Sequence, residues 1–411
     1  MAVKKTYSSI AVALAVLAIC IATLRPGGTT MPSGWSFDIA SGEAAVAEAI
    51  QNLLLFVPLG MALAWKGIRP LRAIAIGAGL SFTVEFIQQW LPGRDPSTGD
   101  ILCNTISTAI GGGLVWNARR WLFVQPRRAA WQALATALAA ATVWLGSGAL
   151  LRPIFPPPPY HDVWTPDFNY WGQYKGKVLS ASLGSLPLTQ GMIPETAFGN
   201  AFGITPLRIT AIAPSRPPGR TSPLVAILDR GDTKVLLVAV DHTDLALLYH
   251  MRAVDFTLEH PDLRWRGALA AIAPGDTFTT QAWRGERGAC LGLNSARRCG
   301  LGYTIGDGWK LIFFPEDFSG WALALVNALW LGGWMLGVGY WAGRAGRNPP
   351  VYAAAGVALL ALLSVPGLVE LRATPVGEWI GGIGGAALGY WLAITPGRRP
   401  GVSRASRLRF G

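Results

Sequence analysis

Asn52, Ser81, Glu85, Gln88, Arg94, Asp100 and Asn104 are polar or charged residues set within or beside long apolar runs. A buried ionisable group in such a setting is costly enough to require a partner or a task. Ser81, Glu85 and Gln88 (or Gln89) recur at steps of three and four, and Asp100, Asn104 and Thr108 at steps of four, so on helices each set shares one face. Pro92-Gly93-Arg94-Asp95 turns the chain between them. Arg94 offers a fork suited to phosphate or carboxylate, and Glu85 and Asp100 could accept protons or hold Arg94 in place. Such a pocket would bind a lipid-linked or amphipathic head group. The same groups could instead form a satisfied network that locks three helices together.

The elements that must carry these residues are membrane helices. Half of the 411 residues are apolar, 50 are Gly, 18 are Trp and only 14% are charged, which points to a bilayer as the main solvent. Eight apolar stretches are long enough to span: Ile10–Leu24, Val46–Trp65, Ala73–Leu91, Ile101–Trp116, Ala129–Leu151, Gly320–Trp341, Val351–Leu371 and Val376–Ile394. Glu85 is the acidic residue that lies well inside one of them.

The net charge of +12 invites a nucleic-acid reading, but the placement of the charges speaks for topology. Alternate connections hold Lys4, Lys5, Lys66, Arg69, Arg72, Arg119, Arg120, Arg127, Arg128, Arg344, Arg347 and the tail residues Arg398, Arg399, Arg404, Arg407 and Arg409, with no acidic residue. The opposite short connections hold Arg25, Arg94 and Arg372 against Asp38, Glu43, Glu48, Asp95, Asp100, Glu370 and Glu378. The positive-inside rule then puts both termini in the cytoplasm and residues 152–318 outside the cytoplasmic membrane. That segment carries 16 basic and 15 acidic residues and is nearly neutral, unlike a nucleic-acid binder. The first helix is expected to be a membrane anchor, with a cleaved signal peptide as the alternative.

Residues 152–318 open with Pro153–Pro159, a stiff extended linker expected to lift the domain off its helix. Strands are expected at Lys177–Leu183, Leu207–Ile212, Leu224–Asp229, Lys234–Val240, Leu245–Arg252, Thr277–Trp283 and around Trp309-Lys310-Leu311, separated by turns such as Arg230-Gly231-Asp232 and Pro274-Gly275-Asp276. This is an antiparallel sandwich or jelly roll. Its pattern resembles the concanavalin A-like (laminin G-like) sandwich, which implies glycan binding, with Trp164, Tyr170, Trp171, Trp265 and Trp283 able to stack on sugars or to fill the core. Asp229, Asp232, Asp241, His242 and Asp244 could offer ligands to calcium or simply be solvated turn residues. Cys290 and Cys299, in an oxidising compartment, can close a disulfide, and make a poor zinc site. Cys20 and Cys103 lie in spans.

From Asn52 to Gly112 the chain resembles the VanZ-like family of membrane proteins. The resemblance rests on Asn52-Leu-Leu-Leu-Phe-Val-Pro58-Leu-Gly60, then Ser81-x-x-x-Glu85-x-x-Gln88, Arg94, Asp100-Ile-Leu-x-Asn104-Thr105 and Gly111. Where the family commonly has a glycine, this chain has Ser107. The resemblance implies a role in the bacterial envelope and a link to resistance to the glycopeptide teicoplanin, without supplying a reaction. A faint internal repeat accompanies it: Asn327 stands as Asn52 does, Arg372 and Glu378 keep the spacing of Arg94 and Asp100, and Gly389 follows Glu378 as Gly111 follows Asp100. The helices would then form two parallel copies of four, the second lacking the counterparts of Glu85, Gln88 and Asn104.

The expected organisation is a multi-pass α-helical membrane protein with an inserted all-β sandwich. Residues 1–151 form a VanZ-like membrane domain, 152–318 the extracytoplasmic sandwich, 319–394 three further membrane helices, and 395–411 a basic cytoplasmic tail. Expected partners are the lipid bilayer and a cell-wall glycan or lipid-linked precursor; no cofactor, metal or nucleic acid is expected. A membrane enzyme acting on a lipid-linked substrate, a transporter, and a structural bundle displaying a sugar-binding domain are the competing readings. The sequence offers an enzyme no nucleophile with its base and no phosphate loop.

Overall fold

A computed structural model describes residues 2–27, 31–32, 34–37, 44–168, 171–194, 206–286, 288–314 and 318–395. Asp38, Glu43, Tyr170 and the tail arginines lie outside the described residues. The long helices are α1 (Ala2–Thr23), α2 (Ala45–Leu55), α3 (Val57–Trp65), α4 (Pro70–Gln88), α5 (Thr98–Trp116) and, after the short α6 (Ala118–Trp121), α7 (Pro126–Leu150). Beyond the β domain, with its short α8 (Arg252–Asp255), come α9 (Gly320–Ala345), α10 (Pro349–Leu368) and α11 (Val376–Ile394).

Prolines set several of the boundaries. Pro70, Pro126 and Pro349 stand at the first positions of α4, α7 and α10, where a missing N–H costs no helix bond. The expected continuous span Val46–Trp65 is broken at Phe56, because Pro58 at the start of α3 cannot donate back into α2. Among the described residues six helical spans are long and apolar enough to cross a membrane, α2 and α3 together counting as one. The sequence suggested eight. The helices α5 and α11 fall short because polar residues in α5 and repeated glycines in α11 dilute their hydropathy. Glycines on several helices let backbones touch: a Cβ at Gly60 would fall on Thr108 O, at Gly111 on Val57 O, at Gly339 on Ala386 O and at Gly389 on Leu336 O. Ser107 fits the same contact fully buried, its hydroxyl donating to Leu53 O.

Among the described residues the β domain is two six-stranded antiparallel sheets, ordered β4-β1-β6-β7-β8-β9 and β12-β11-β10-β5-β2-β3. The expected strands are found as β2 (Lys177–Leu183), β5 (Leu207–Ile212), β6 (Ser222–Leu228), β7 (Lys234–Asp241), β8 (Asp244–Tyr249) and β10 (Thr277–Gly285). Arg252, assigned to a strand from sequence, opens α8 instead. Strands that the sequence did not single out complete the sheets: β1 (Tyr160–Trp164), β3 (Leu186–Leu188), β4 (Met192–Ile193), β9 (Leu263–Trp265), β11 (Gly288–Leu293) and β12 (Ala296–Leu301), of which β3, β4, β9 and β12 are the edges. β6 is buried along its whole length and β7 and β8 along nearly all of theirs. One face of their sheet meets the inter-sheet core, and the other is covered by Val163, Phe168 and Trp171. A strand covered on both faces reads as a continuous apolar run rather than an alternating one.

Trp309-Lys310-Leu311 is not a strand. It belongs to a 3-10 helix, η1 (Ile305–Leu311), whose residues are all buried. Nor does the proline segment hold the domain away from the helices. Gln51 Nε2 donates to Ile312 O at 2.7 Å, Val46 N to Thr257 O at 3.1 Å, and Arg372 N to Tyr303 O at 2.8 Å, so the domain rests on the helix ends. Arg152 and Arg284 both pair with Glu370 across that junction, and the Arg284 contact is the leading cause that holds the Glu370 carboxyl below its usual range.

Cys290 of β11 and Cys299 of β12 form a disulfide across the edge hairpin. Opening it in Cys290→Ser is expected to loosen that edge by about 2–3 kcal/mol and to speed limited proteolysis near residue 299; equal digestion of wild type and variant would contradict this.

Candidate functional site

The ends of α1 and α4 and the beginnings of α2 and α5 meet on the side of the bundle that carries the β domain, and the polar residues of the sequence motif gather there. Asn52 Nδ2 donates to Asp100 Oδ1 at 2.6 Å, joining α2 to α5. Both are half-buried. Beneath them Asn104 Nδ2 donates to Ser81 Oγ at 2.9 Å, and Glu85 Oε2 accepts the backbone N–H of Ser97 at 2.9 Å. Ser81, Glu85 and Asn104 are essentially sealed from solvent. The side-chain oxygen of Asn104 is buried with no hydrogen-bond partner among the described residues.

The expected single polar face of α4 is present, with Ser81, Glu85 and Gln88 all buried. Its members do different things. Gln88 Nε2 donates to Thr23 O at 3.0 Å, tying α4 to the last turn of α1. Arg94 is turned toward α1: its Nε donates to Arg25 O at 2.9 Å and its Nη2 to Ala22 O at 3.0 Å, where it answers carbonyls that a helix end leaves open. Burial holds its guanidinium below the usual range, and the Glu85 charge opposes that shift. The arginine is therefore a clamp on α1, and acceptor oxygens dominate the notch formed by Asn52, Glu85, Asp100 and Asn104.

A second polar cluster lies where η1 meets α9 and α11. Glu378, at the start of α11, accepts from Asn327 Nδ2 of α9 at 3.2 Å, from Thr304 Oγ1 at 2.5 Å and from Gly306 N at 3.1 Å. Asn327 Nδ2 also reaches Asp307 Oδ1 at 2.9 Å, and Trp309 Nε1 donates to Asn327 Oδ1 at 2.7 Å. Burial alone would push the Asp307 carboxyl up, but Lys310 Nζ at 2.7 Å, with donors from Thr304 and Asn327, outweighs it and holds the group below its usual range. Thr304, Gly306 and Asp307 did not stand out as site residues in the sequence. Their signal was Thr304-x-x-Asp307, which forms a reciprocal capping box.

In the β domain the calcium candidates are otherwise engaged. Asp241 is buried against Arg264 and Thr221, Asp244 accepts Gly267 N, Asp229 accepts Gly231 N and Thr233 N, and Asp232 faces His161. No group of three or more metal-ligating residues is found among the described residues. Burial raises the Asp262 carboxyl although Arg264 opposes it from 2.8 Å. Trp164, Trp265 and Trp283 are half-buried. Trp171 stacks edge-on with Phe168 under Lys234 Nζ, which lies 5.4 Å from each ring centre. Trp171 and Lys234 line a cavity of about 410 Å³ with Asp232, Glu259 and His260.

Residues 10–122 match the family model VanZ/LLP1, a stretch that contains most of α1 and all of α2 to α5 with the notch. No curated protein and no solved structure matches the chain, so the sandwich carries no concanavalin A-like identification.

Gly306 approaches Glu378 so closely that a Cβ there would fall on the carboxyl group. Gly306→Ala is expected to destabilise the junction by about 1–3 kcal/mol, as an overpacked core does. Thermal unfolding of the full chain in detergent would read this as a lowered midpoint, and an unchanged midpoint would contradict it.

Proposed function

We propose that this chain is a VanZ-like protein of the bacterial cytoplasmic membrane whose notch of Asn52, Glu85, Asp100 and Asn104 binds the head group of a lipid-linked or amphipathic molecule in the outer leaflet. The observation that carries this is the buried, unpartnered oxygen of Asn104 under the half-open Asn52–Asp100 pair. A structural network closes on itself, and an orphaned acceptor costs about 1–3 kcal/mol unless something comes to meet it. Ser81, Gln88 and Arg94 take the role of holding the notch in shape. The family match supports an envelope role and a link to glycopeptide resistance.

The full span count in this reading is eight, with both termini cytoplasmic, residues 152–318 extracytoplasmic and a basic cytoplasmic tail at 395–411. The helix ends opposite the β domain carry Lys66, Arg69, Arg72, Arg119, Arg120, Arg127, Arg128, Arg344 and Arg347, which is what the positive-inside rule asks of a cytoplasmic face. The helices form two parallel copies, α1 to α5 and α7 with α9 to α11. The two Asn–carboxyl pairs support this, as do the glycine contacts at Gly111 and Gly389, each eleven residues beyond its carboxyl residue. The cavity beside Trp171 is where the β domain would take a glycan.

Two measurements test this. A cysteine at Gly231→Cys, in a chain lacking Cys20 and Cys103, is expected to react with an impermeant maleimide on intact cells; reaction only after lysis inverts the topology. Glu85→Gln is expected to accumulate in membranes like wild type while losing co-purifying amphiphile by native mass spectrometry, whereas Arg94→Ala lowers accumulation. If Glu85→Gln lowers accumulation as much as Arg94→Ala, the notch is a structural network.

A further inference from the structure

The two Asn–carboxyl pairs differ in what covers them. Asn327 and Glu378 are 8% and 3% exposed because the β domain inserts η1 over them. That turn brings three neutral donors, the Thr304 hydroxyl, the Gly306 peptide N–H and the Trp309 indole N–H, and one acceptor in Asp307. A tethered piece of the chain therefore sits on this pair as a ligand would. Its Glu378-facing part is two donors that bring no charge, and the Asp307 carboxyl that meets Asn327 is balanced by Lys310 of the same turn.

The Asn52–Asp100 pair has the same amide-to-carboxyl bond, and the flanking contacts correspond. Thr108 lies eight residues beyond Asp100 and meets Gly60, and Ala386 lies eight beyond Glu378 and meets Gly339. Here the pair is half-buried, and its floor holds a further carboxyl in Glu85 and the unpartnered Asn104 oxygen. Glu48 is a further carboxyl group near Asp100 and Asp95. The nearby cation, Arg94, is directed at the carbonyls of Ala22 and Arg25. A phosphate or carboxylate entering this notch would lose its hydration to face carboxyl groups. A hydroxyl or amide N–H would instead complete bonds the notch leaves open.

The apolar part of such a molecule also has a surface to lie on. Trp35, whose indole donates to Thr98 Oγ1 at the mouth of the notch, begins a row of rings with Phe82, Phe86 and Trp90 along the exposed face of α4, with centroids 5.0 to 6.3 Å apart.

We infer that the Asn52–Asp100 notch takes the neutral head group of an amphiphile bearing hydroxyl and amide N–H donors, as an N-acylated amino sugar does, and discriminates against phosphate. This rests on the reading of the notch as a head-group site and adds the chemistry of the head group.

The test uses the full chain in detergent micelles, with octyl N-acetylglucosaminide and octyl phosphate as probes and native mass spectrometry of their adducts as the readout. The amide sugar is expected to bind at least about tenfold better than the phosphate and to lose that advantage in both Asp100→Asn and Asn104→Leu. Preference for octyl phosphate that depends on Asp100 overturns this inference and leaves the head-group reading standing. Binding of either probe that ignores both substitutions, or no binding, overturns both. Should the variants fail to accumulate, the wild-type preference between the two probes decides the donor chemistry.

Discussion

A carboxyl group set into an apolar helix surface has to be answered by donors, because hydrocarbon offers it none. The first half of this protein answers Asp100 with Asn52 from a neighbouring helix, and the second answers Glu378 with Asn327. Much else follows from placing those four residues. The carboxyl residue sits in the first turn of its helix, where the free N–H ends favour it. The partner helix can lie close enough for an asparagine to reach only because glycines replace side chains at the crossing, with Gly60 against Thr108 and Gly381 against Ala328.

The β domain is fastened to the helices by this same requirement. Glu378 would be short of donors with Asn327 alone, and η1 supplies the rest from the domain. Inserting the turn places Asp307 and Lys310 in the junction, where they neutralise each other. The domain is thus held by buried polar bonds at η1 and by the exposed Glu370 pairings at its rim, of which the exposed set contributes little because water competes for it.

In the first half the donors are fewer. Arg94, the residue whose type best suited an anionic ligand, is spent on the end of α1, and Gln88 on the same turn. The notch is left rich in acceptors and partly open on the side that carries the β domain. The contrast between a filled pair and an open one within a single chain is what gives the open one a functional reading.

The sequence by itself determined the helices, because apolar runs long enough to span have few other ways to satisfy their backbone. It also determined the central strands β5 to β8 and β10, whose apolar residues and turn signals are local, and the shared face of Ser81, Glu85 and Gln88, which follows from helical period. The disulfide pair could be read by elimination. The tertiary structure alone decided which way Arg94 points, since a flexible side chain chooses among partners that only folding brings near. It decided that Trp309 lies in a buried turn rather than a strand, because burial by α7 and α9 overrides a local apolar pattern. The likeness of the Asn52–Asp100 and Asn327–Glu378 pairs was faint in sequence for a similar reason. Gly60 follows Asn52 by eight residues and Gly339 follows Asn327 by twelve, one helical turn more, and it is the pairing of side chains across helices, not spacing along the chain, that brings the two sites into register.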